Sequence, residues 1–490
     1  MFYEAVAYMV SAQADAPTRD ELLMKLMEWP NQMWCDILKH AKTTNGESLR
    51  EASHMKQLQN IIRTNERVAI ALGHPYMVQL GHIYVDLLTV YKAYSELINS
   101  TIASSGGSNV HLMQTSAVRS MRAVKKEALR LLDTCIEKSE DNELVLTKFV
   151  PPLLDPVLGD YVRSIPAARD PEVLSLFCCL INKLQAMMTN EVPRVFEAVF
   201  KCTLDMITKN FEDYPDHRLG LFNLLRAMNQ HCFGALLQQQ SNFTLIIESI
   251  KWAFKHTERN VAETGLGTLL ELLTNVQKCE VRMGNAFEPE PATLNPNANP
   301  HSNPNPNSNP NPNPNPNPNP EQVGMINAFY QSYYLGLLQD VFSVLTDSLH
   351  KPGFKLHAML LAHLFNAVES ATITTPLWPQ DGTVQASNNG EYLRNLLLQM
   401  FSSSFPNLTQ PQLTSVIQRM FEHCKDQPAF KQHLRDFLVQ LKEFGDSTDL
   451  YAEEKQAQDD DKAKNLRARQ EAIPGLLNPH ARNDDCMMGD

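Results

Sequence analysis

The block from Leu144 to Leu184 constrains the fold more than any other part of the chain. It contains two long apolar segments separated by a short turn rich in Pro, Ala and Asp. The apolar residues of the first segment are Phe149, Leu153, Leu154, Val157, Leu158, Tyr161 and Val162. Their steps of three and four place them on one face of an α-helix, and Pro151 and Pro152 indicate its first turn or a kink. Each apolar face needs a neighbour, so the block predicts a packed pair of helices.

The same pair of segments recurs along the chain, which is typical of a solenoid. First helices are expected to begin near His54, Ser116, Pro171, Pro215, Asn260, Gly353 and Thr409. Second helices are expected to begin near Tyr76, Leu144, Val192, Asn242, Ile326, Glu391 and Pro428. Apart from one insertion, the period is about 45 to 60 residues, near that of HEAT repeats. The sequence therefore predicts an all-α fold, an α-solenoid (superhelix) of HEAT-like pairs over residues 54–444, with a partial repeat in residues 1–53.

One segment, residues 288–321, cannot be helical because Asn-Pro dipeptides dominate it. Proline removes backbone donors at alternate positions and favours extended geometry in the residue before it. We expect a disordered insertion inside one repeat, because the entropy cost of closing a loop rises only slowly with its length. An insertion without a defined role is the first interpretation, and a binding segment is the second.

The composition argues for protein partners rather than nucleic acid. The formal net charge is -12, whereas phosphate binding draws its affinity from clustered Lys and Arg. The sequence has no signal-peptide pattern and no 18-residue apolar run, so we expect a soluble intracellular protein with no membrane contact. The nine cysteines lack CxxC spacing and are expected to be reduced thiols in the core.

Patterns that carry catalytic or metal chemistry are missing from the sequence. It contains no GxxxxGK[ST], HExxH, GxSxG or GxGxxG motif, so we expect no catalytic residue, no cofactor and no metal. Gly265 and Gly267 are interpreted as points of close helix packing. His357 and His363 are off the spacing for two ligands on one helical face, and they are expected to be surface or capping residues.

The densest basic cluster consists of Arg119, Arg122, Lys125, Lys126 and Arg130. Steps of three and four place Arg119, Arg122 and Lys126 on one helical face. Arg119, Arg122, Lys125 and Lys126 are therefore a candidate contact face for an acidic partner. The alternative is that these charges form an ordinary solvated face.

Several stretches are too specific for generic HEAT repeats. They are Phe2–Gln13 (FYEAVAYMVSAQ), Ala71–Leu80 (ALGHPYMVQL), Ser120–Lys126 (SMRAVKK), Phe149–Asp155 (FVPPLLD), Phe211–Arg218 (FEDYPDHR), Trp252–Leu266 (WAFKHTERNVAETGL), Pro428–Phe444 (PAFKQHLRDFLVQLKEF) and Ile473–His480 (IPGLLNPH). In order and content they resemble the C-terminal half of the exportin-one family of the importin-β (karyopherin) superfamily. The resemblance covers nearly the whole chain outside the Asn-Pro segment.

The resemblance implies a nuclear export receptor that shuttles between nucleus and cytoplasm. Its implied partners are a Ran-type GTPase in the GTP form, cargo with leucine-rich export signals, and nuclear pore proteins. In the family, the N-terminal GTPase-binding repeats and the export-signal groove precede the part that this sequence resembles. We therefore expect a fragment or truncated form, whose first repeat would expose Phe2, Val6 and Met9. A generic HEAT scaffold is the alternative.

The resemblance also assigns residues 445–490 to a regulatory helix and acidic tail. In the family, these elements bias the export-signal groove toward its closed state until the GTPase displaces them. The acidic residues concerned are Asp459, Asp460, Asp461, Asp484 and Asp485. The apolar face of this last helix is thin, so we expect weak, reversible docking. A frayed, solvated terminus is the alternative interpretation.

Overall fold

The computed structural model describes residues 2–104, 110–209, 213–278, 320–346, 353–379, 386–406 and 408–443. Within these ranges the chain is helical and no strand occurs. The first ten helices are α1 (Phe2–Ser11), α2 (Ala16–Thr43), α3 (Ala52–Leu72), α4 (Met77–Ser104), α5 (Val110–Met113), α6 (Ser116–Lys138), α7 (Asn142–Leu144), α8 (Val150–Arg163), α9 (Glu172–Leu184) and α10 (Val192–Lys209).

The later helices continue the same alternation of first and second members of a pair. They are α11 (Pro215–His231), α12 (Phe233–Leu237), α13 (Gln240–Phe254), α14 (Arg259–Lys278), α15 (Pro320–Thr346), α16 (Phe354–Glu369), α17 (Asn389–Ser404), α18 (Gln410–His423) and α19 (Gln427–Glu443). The first helices begin within two residues of the predicted positions. Helix α15 begins at Pro320, earlier than the predicted start near Ile326.

Helix ends follow local capping chemistry. Asp15 accepts a hydrogen bond from the Thr18 amide at 3.0 Å, which caps α2. At α18, the amide and hydroxyl of Thr409 donate to the Gln412 side chain in a capping box. Short polar caps therefore fix the starts of α2 and α18.

The helices form two stacked layers. One layer contains the first helices α1, α3, α6, α9, α11, α14 and α16, each packed on the next. Second helices α2, α4, α8 and α10 pack along the other layer, and apolar side chains fill the space between the layers. This arrangement confirms the predicted all-α solenoid of HEAT-like helix pairs.

The proline pair of the opening block marks a change of helix type. Residues Val145–Phe149 form a π-helical turn, and Pro151 and Pro152 then lie in the first turn of α8. The Val150 amide still bonds to the Val145 carbonyl, and the two prolines, which have no amide hydrogen to donate, come directly after the π-helical turn. The hydroxyl of Tyr84 on α4 donates to the carbonyl of Phe149 and ties this junction to the preceding repeat.

Two expectations about the N-terminal residues have different outcomes. A partial repeat was expected in residues 1–53. In the described part of this range, helices α1 and α2 pack against each other. Phe2 and Met9 are 72% and 75% exposed, as expected, whereas Val6 is half-buried against the core. The Asn-Pro segment 288–321 lies outside the described residues except for Pro320 and Glu321, which begin α15, so the prediction that the segment is not helical is wrong at these two positions.

The histidine prediction is wrong. His357 is buried and its imidazole Nδ1 lies 3.0 Å from the carbonyl of Gly353, while His363 is half-buried. Both lie on α16, which packs between α14, α15 and α18, so neighbouring repeats cover them. The glycine interpretation is confirmed at Gly265, where a Cβ would lie 2.7 Å from the backbone nitrogen of Phe254 on α13, but not at Gly267, where it would lie 3.6 Å from the Arg226 side chain. Seven cysteines fall within the described residues and are free thiols.

Candidate functional site

The four basic residues singled out in the sequence all lie on α6, but in different environments. Arg119 is exposed near the start of the helix, Arg122 and Lys126 are half-buried, and Lys125 is only 2% exposed. A contact face for a partner needs accessible charges. Lys125 therefore cannot belong to such a face, and this part of the prediction is wrong.

Lys125 points into the interior, where two carboxylates meet it. Its ammonium nitrogen lies 2.7 Å from Oδ2 of Asp160 on α8 and 3.3 Å from Oδ2 of Asp170, which precedes α9. The same nitrogen lies 5.1 Å from the centre of the Tyr91 ring on α4, whose hydroxyl donates to Asp160 at 3.0 Å. The buried lysine is thus neutralised by Asp160 from the second helix of its own repeat and by Asp170 from the turn that leads to the next repeat.

The neighbouring basic residues are also paired with acidic residues, which lie at the start of the next repeat. Arg122 donates from Nε and Nη2 to Oδ1 of Asp170 at 3.1 and 2.8 Å. Lys126 and Arg130 lie 3.3 and 3.1 Å from the carboxylate of Glu172 in the first turn of α9. Most of the basic cluster therefore joins α6 to the following repeat, and of the four candidate residues only Arg119 is exposed.

An acidic residue of α6 completes the network on its other side. Glu127 is 5% exposed and accepts hydrogen bonds from Nε and Nη2 of Arg63 on α3 at 2.9 and 2.7 Å. Helix α6 thus exchanges charged hydrogen bonds with both the preceding and the following first helix.

The electrostatics of this network favour the ionised state of Asp170. Burial alone would raise the pKa of Asp170, but the charges of Lys125 and Arg122 outweigh it and hold that pKa below its usual value. Burial raises the pKa of Tyr91, and the charges of Asp160 and Asp170 raise it further. A protonated phenol and an ionised Asp170 have no proton to exchange near neutral pH, so this pair of groups is suited to structural pairing.

Sequence reasoning missed the acidic partners Asp160 and Asp170 altogether. One signal was present: Lys125 stands four residues after Met121 and four before Leu129, inside the apolar stripe of α6. A charged residue on a buried stripe requires an opposite charge nearby, because an unpaired buried ion is costly. The identity of the partners depends on how helices pack, which the spacing does not give.

The other candidate residues cannot be placed. Asp459, Asp460, Asp461, Asp484 and Asp485 lie outside the described residues, so the regulatory helix and tail remain predictions. Within the described part of the chain, no group of three acidic, histidine or cysteine side chains has the geometry of a metal site. None of the described helices is long and apolar enough to cross a membrane.

Two open clefts of about 470 Å³ occur among the described residues. One lies between α17 and α18, where the Arg394 guanidinium stacks 4.0 Å above the Phe421 ring and pairs with Glu369 at 2.7 Å. The other lies beside α14 and includes Gly267 and Arg226. The arginines in both clefts are already paired with carboxylates, since Arg226 contacts Glu271 at 2.7 Å.

Comparison with known proteins decides the family. A family model described as CRM1 C terminal matches residues 79–289 and 317–446. The chain is also 43% identical to Protein EXPORTIN 1B of Arabidopsis thaliana over 488 residues. The chain belongs to the exportin-1 family. Exportin-1 of Drosophila melanogaster and of Schizosaccharomyces pombe are each 39% identical to it, over 488 and 480 residues.

The alignments with these exportin-1 relatives cover almost the whole chain but only part of each relative. They include 98 to 99% of this chain and 40 to 41% of each of the three proteins. The chain therefore spans about two fifths of the length of the curated relatives it matches. The family model does not match residues 290–316 of the chain, and these residues lie inside the Asn-Pro segment.

Proposed function

We propose that this chain acts as the C-terminal solenoid portion of a nuclear export receptor. The complete receptor binds a Ran-type GTPase in the GTP form together with cargo bearing a leucine-rich export signal. It carries that cargo through the nuclear pore by contacts with nuclear pore proteins, and it shuttles between nucleus and cytoplasm. The observation that supports this most is the exportin-1 family match across a continuous stack of helix pairs.

The proposed mechanism is coupled binding, with no bond made or broken by this protein. The GTPase and the cargo favour the same conformer of the solenoid, so each raises the affinity of the other by the same factor. GTP hydrolysis belongs to the GTPase. In this proposal the family's N-terminal repeats supply the main GTPase contacts and the export-signal groove, and residues 54–444 extend the solenoid.

The remaining candidate residues have minor roles in the proposal. Arg119 is exposed at the start of α6 and stays available to an acidic partner. The carboxylates of Asp459–Asp461 and of Asp484 and Asp485 regulate the groove from the C-terminal segment 445–490. The Asn-Pro segment 288–321 is an insertion that the receptor tolerates.

A generic HEAT scaffold is the second candidate, and the repeats weigh against it. Such scaffolds use repeats of nearly constant length, whereas the first helices here begin at unequal intervals, at Ala52, Ser116, Glu172 and Pro215. The irregular repeats and the exportin-1 match agree with the receptor proposal.

A binding experiment tests the proposal directly. The chain alone is compared with a chimera in which the preceding three fifths of the Arabidopsis thaliana relative is fused to its N-terminus. Each is titrated with a fluorescent leucine-rich export peptide, with and without the GTPase locked in its GTP form. We expect the chimera to bind the peptide in a GTPase-dependent way and the chain alone to bind weakly or not at all.

Two results would contradict the proposal. A folded chimera that binds neither ligand would remove the receptor function. Full peptide affinity in the chain alone would place the cargo site within these repeats. A peptide with alanines in place of its leucines serves as the control for specific binding.

A further inference from the structure

The turn between α8 and α9, residues 164–171, is connected to more helices than its length suggests. The Arg169 guanidinium donates to the carbonyl of Tyr161 on α8 at 3.1 Å and to the carbonyl of Cys202 on α10 at 2.8 Å. On the other side, the imidazole of His217 on α11 lies 3.2 Å from the Arg169 carbonyl, within hydrogen-bonding distance. One short turn is therefore bonded to α8, α10 and α11.

Asp170, the next residue in this turn, connects the turn to α6, the first helix of the preceding repeat. It is 2% exposed; its Oδ1 accepts hydrogen bonds from Arg122 of α6, and its Oδ2 lies 3.3 Å from the ammonium nitrogen of Lys125, an ion pair without a hydrogen bond. Lys125 in turn reaches Asp160 of α8 and the Tyr91 ring of α4. The polar contacts run without interruption from α4, through α6 and the turn, to α10 and α11.

We infer that Lys125, Asp160 and Asp170 form a latch that locks the repeats from α4 to α11 into a single rigid body within the solenoid. Any bending of the solenoid must then take place outside this body. This inference goes beyond the proposed receptor function and does not depend on the ligand.

The physical reason is that paired buried charges are stable in only one relative geometry, whereas packed apolar side chains tolerate several. Burying the ammonium of Lys125 and the two carboxylates is costly unless every partner stays in hydrogen-bonding contact. A helix that shifted against its neighbour would break at least one of the 2.7 to 3.3 Å contacts and leave a buried charge unpaired. Sliding between these repeats is therefore opposed more strongly than in an apolar interface of the same size.

Hydrogen exchange measured by mass spectrometry on the full chain tests the latch. In Lys125→Met, the two carboxylates lose their shared cation, and we expect exchange to become about a hundredfold faster in α4, α6, α8 and residues 164–171 together. The matched control is Lys126→Met, which changes the adjacent half-buried lysine, whose ion pair among the described residues is with Glu172. We expect that control to change exchange by less than about threefold, as for a surface pair.

A neutral variant covers the case in which Lys125→Met fails to fold. The triple variant Lys125→Met, Asp160→Asn, Asp170→Asn removes the buried cation and both buried carboxylates and leaves Arg122, whose side chain is 20% exposed, facing an amide, so it should fold. Its polar contacts are weaker, and we expect about tenfold faster exchange spread over the same elements. Faster exchange confined to α6, or wild-type exchange throughout in the triple variant, would overturn the latch.

Discussion

Two regions of the same solenoid join their repeats by different interactions. From α4 to α11 the repeats share buried ions and hydrogen bonds centred on Lys125 and the 164–171 turn. From α15 to α19 a set of aromatic contacts joins the helices within the apolar core, and Phe365 of α16 lies at its centre. Its ring centre is 4.7 Å from that of Phe421 and 5.9 Å from that of Phe430.

The aromatic contacts extend through the second helices as well. Phe401 of α17 lies 5.2 Å from Phe342 of α15 and 5.3 Å from Phe437 of α19, measured between ring centres. Such contacts contribute through buried area and ring geometry, and their strength varies gradually with position. The ion network tolerates less movement, because its charged hydrogen bonds require narrow ranges of distance and angle and a broken one leaves a buried charge unpaired. The same helix-pair architecture can therefore be assembled with rigid or with more adaptable joints.

The largest expected effect comes from breaking the aromatic region at its centre. Phe365→Ala removes a fully buried ring and leaves a cavity, and we expect a loss of about 3 to 5 kcal/mol in local stability. Hydrogen exchange in α16, α18 and α19 measures it. Phe2→Ala, at a 72% exposed position, is the control and should change little. Equal loss of protection in α4 to α8 would show that the two regions are not distinct.

Acid should weaken the joint between α9 and α11 through His217. Burial lowers the pKa of His217 to about 4, while the Arg169 carbonyl and the Asp170 charge oppose that shift. An unfolded histidine titrates near about 6.5, so the unfolded state binds the proton first as the pH falls. The contribution of neutral His217 to the free energy of unfolding is therefore complete above about pH 6.5. It decreases as the pH falls to about 4, by about 3 kcal/mol in total.

The measurement is the urea midpoint of the α9–α11 region at pH 7 and at pH 4.5, followed by pulsed hydrogen exchange. His217→Gln should reduce the difference between the two midpoints, whereas His111→Asn, at an exposed position, should leave it as in the wild type. Burial also lowers the pKa of His363 and His433 in the aromatic region, so the variant comparison carries the test. An unchanged pH dependence in His217→Gln would contradict the prediction.

A pair of uncharged polar side chains joins α2 to α4, before the ion network. Breaking this pair should have an intermediate effect on stability. The buried amides of Asn31 on α2 and Gln79 on α4 donate to each other at 3.1 and 2.7 Å. Gln79→Leu leaves the Asn31 amide unsatisfied, and we expect a loss of about 1 to 3 kcal/mol. The double variant Asn31→Leu, Gln79→Leu should recover most of it in thermal unfolding. A double variant as unstable as the single one would point to packing instead.

The smallest effect is expected at the surface pair between α11 and α14. Arg226 and Glu271 lie 2.7 Å apart, with side chains 44% and 29% exposed. Arg226→Gln should cost less than about 1 kcal/mol, and added salt should reduce the difference from wild type. A larger, salt-independent loss in urea unfolding would mean that this joint belongs with the buried network.

The sequence predicted the helix pairs well because the apolar period is a local property. The starts of α6, α10 and α11 at Ser116, Val192 and Pro215 agree with the predicted positions. The role of the basic cluster was not predicted, since Lys125 and Asp160 are bonded across 35 residues of sequence. Such pairing depends on the register between helices of neighbouring repeats. His357 was misjudged for the same reason, because α14, α15 and α18 cover the helix that carries it.

The most direct test of the two kinds of joint is equilibrium urea unfolding of the wild-type chain with pulsed hydrogen exchange at each concentration. We predict that α4, α6, α8, α9 and α11 lose protection together in one transition, separate from that of α16 to α19. Independent transitions for α4 and α11, or one transition shared by the whole chain, would contradict the distinction between the ion-locked and the aromatic repeats.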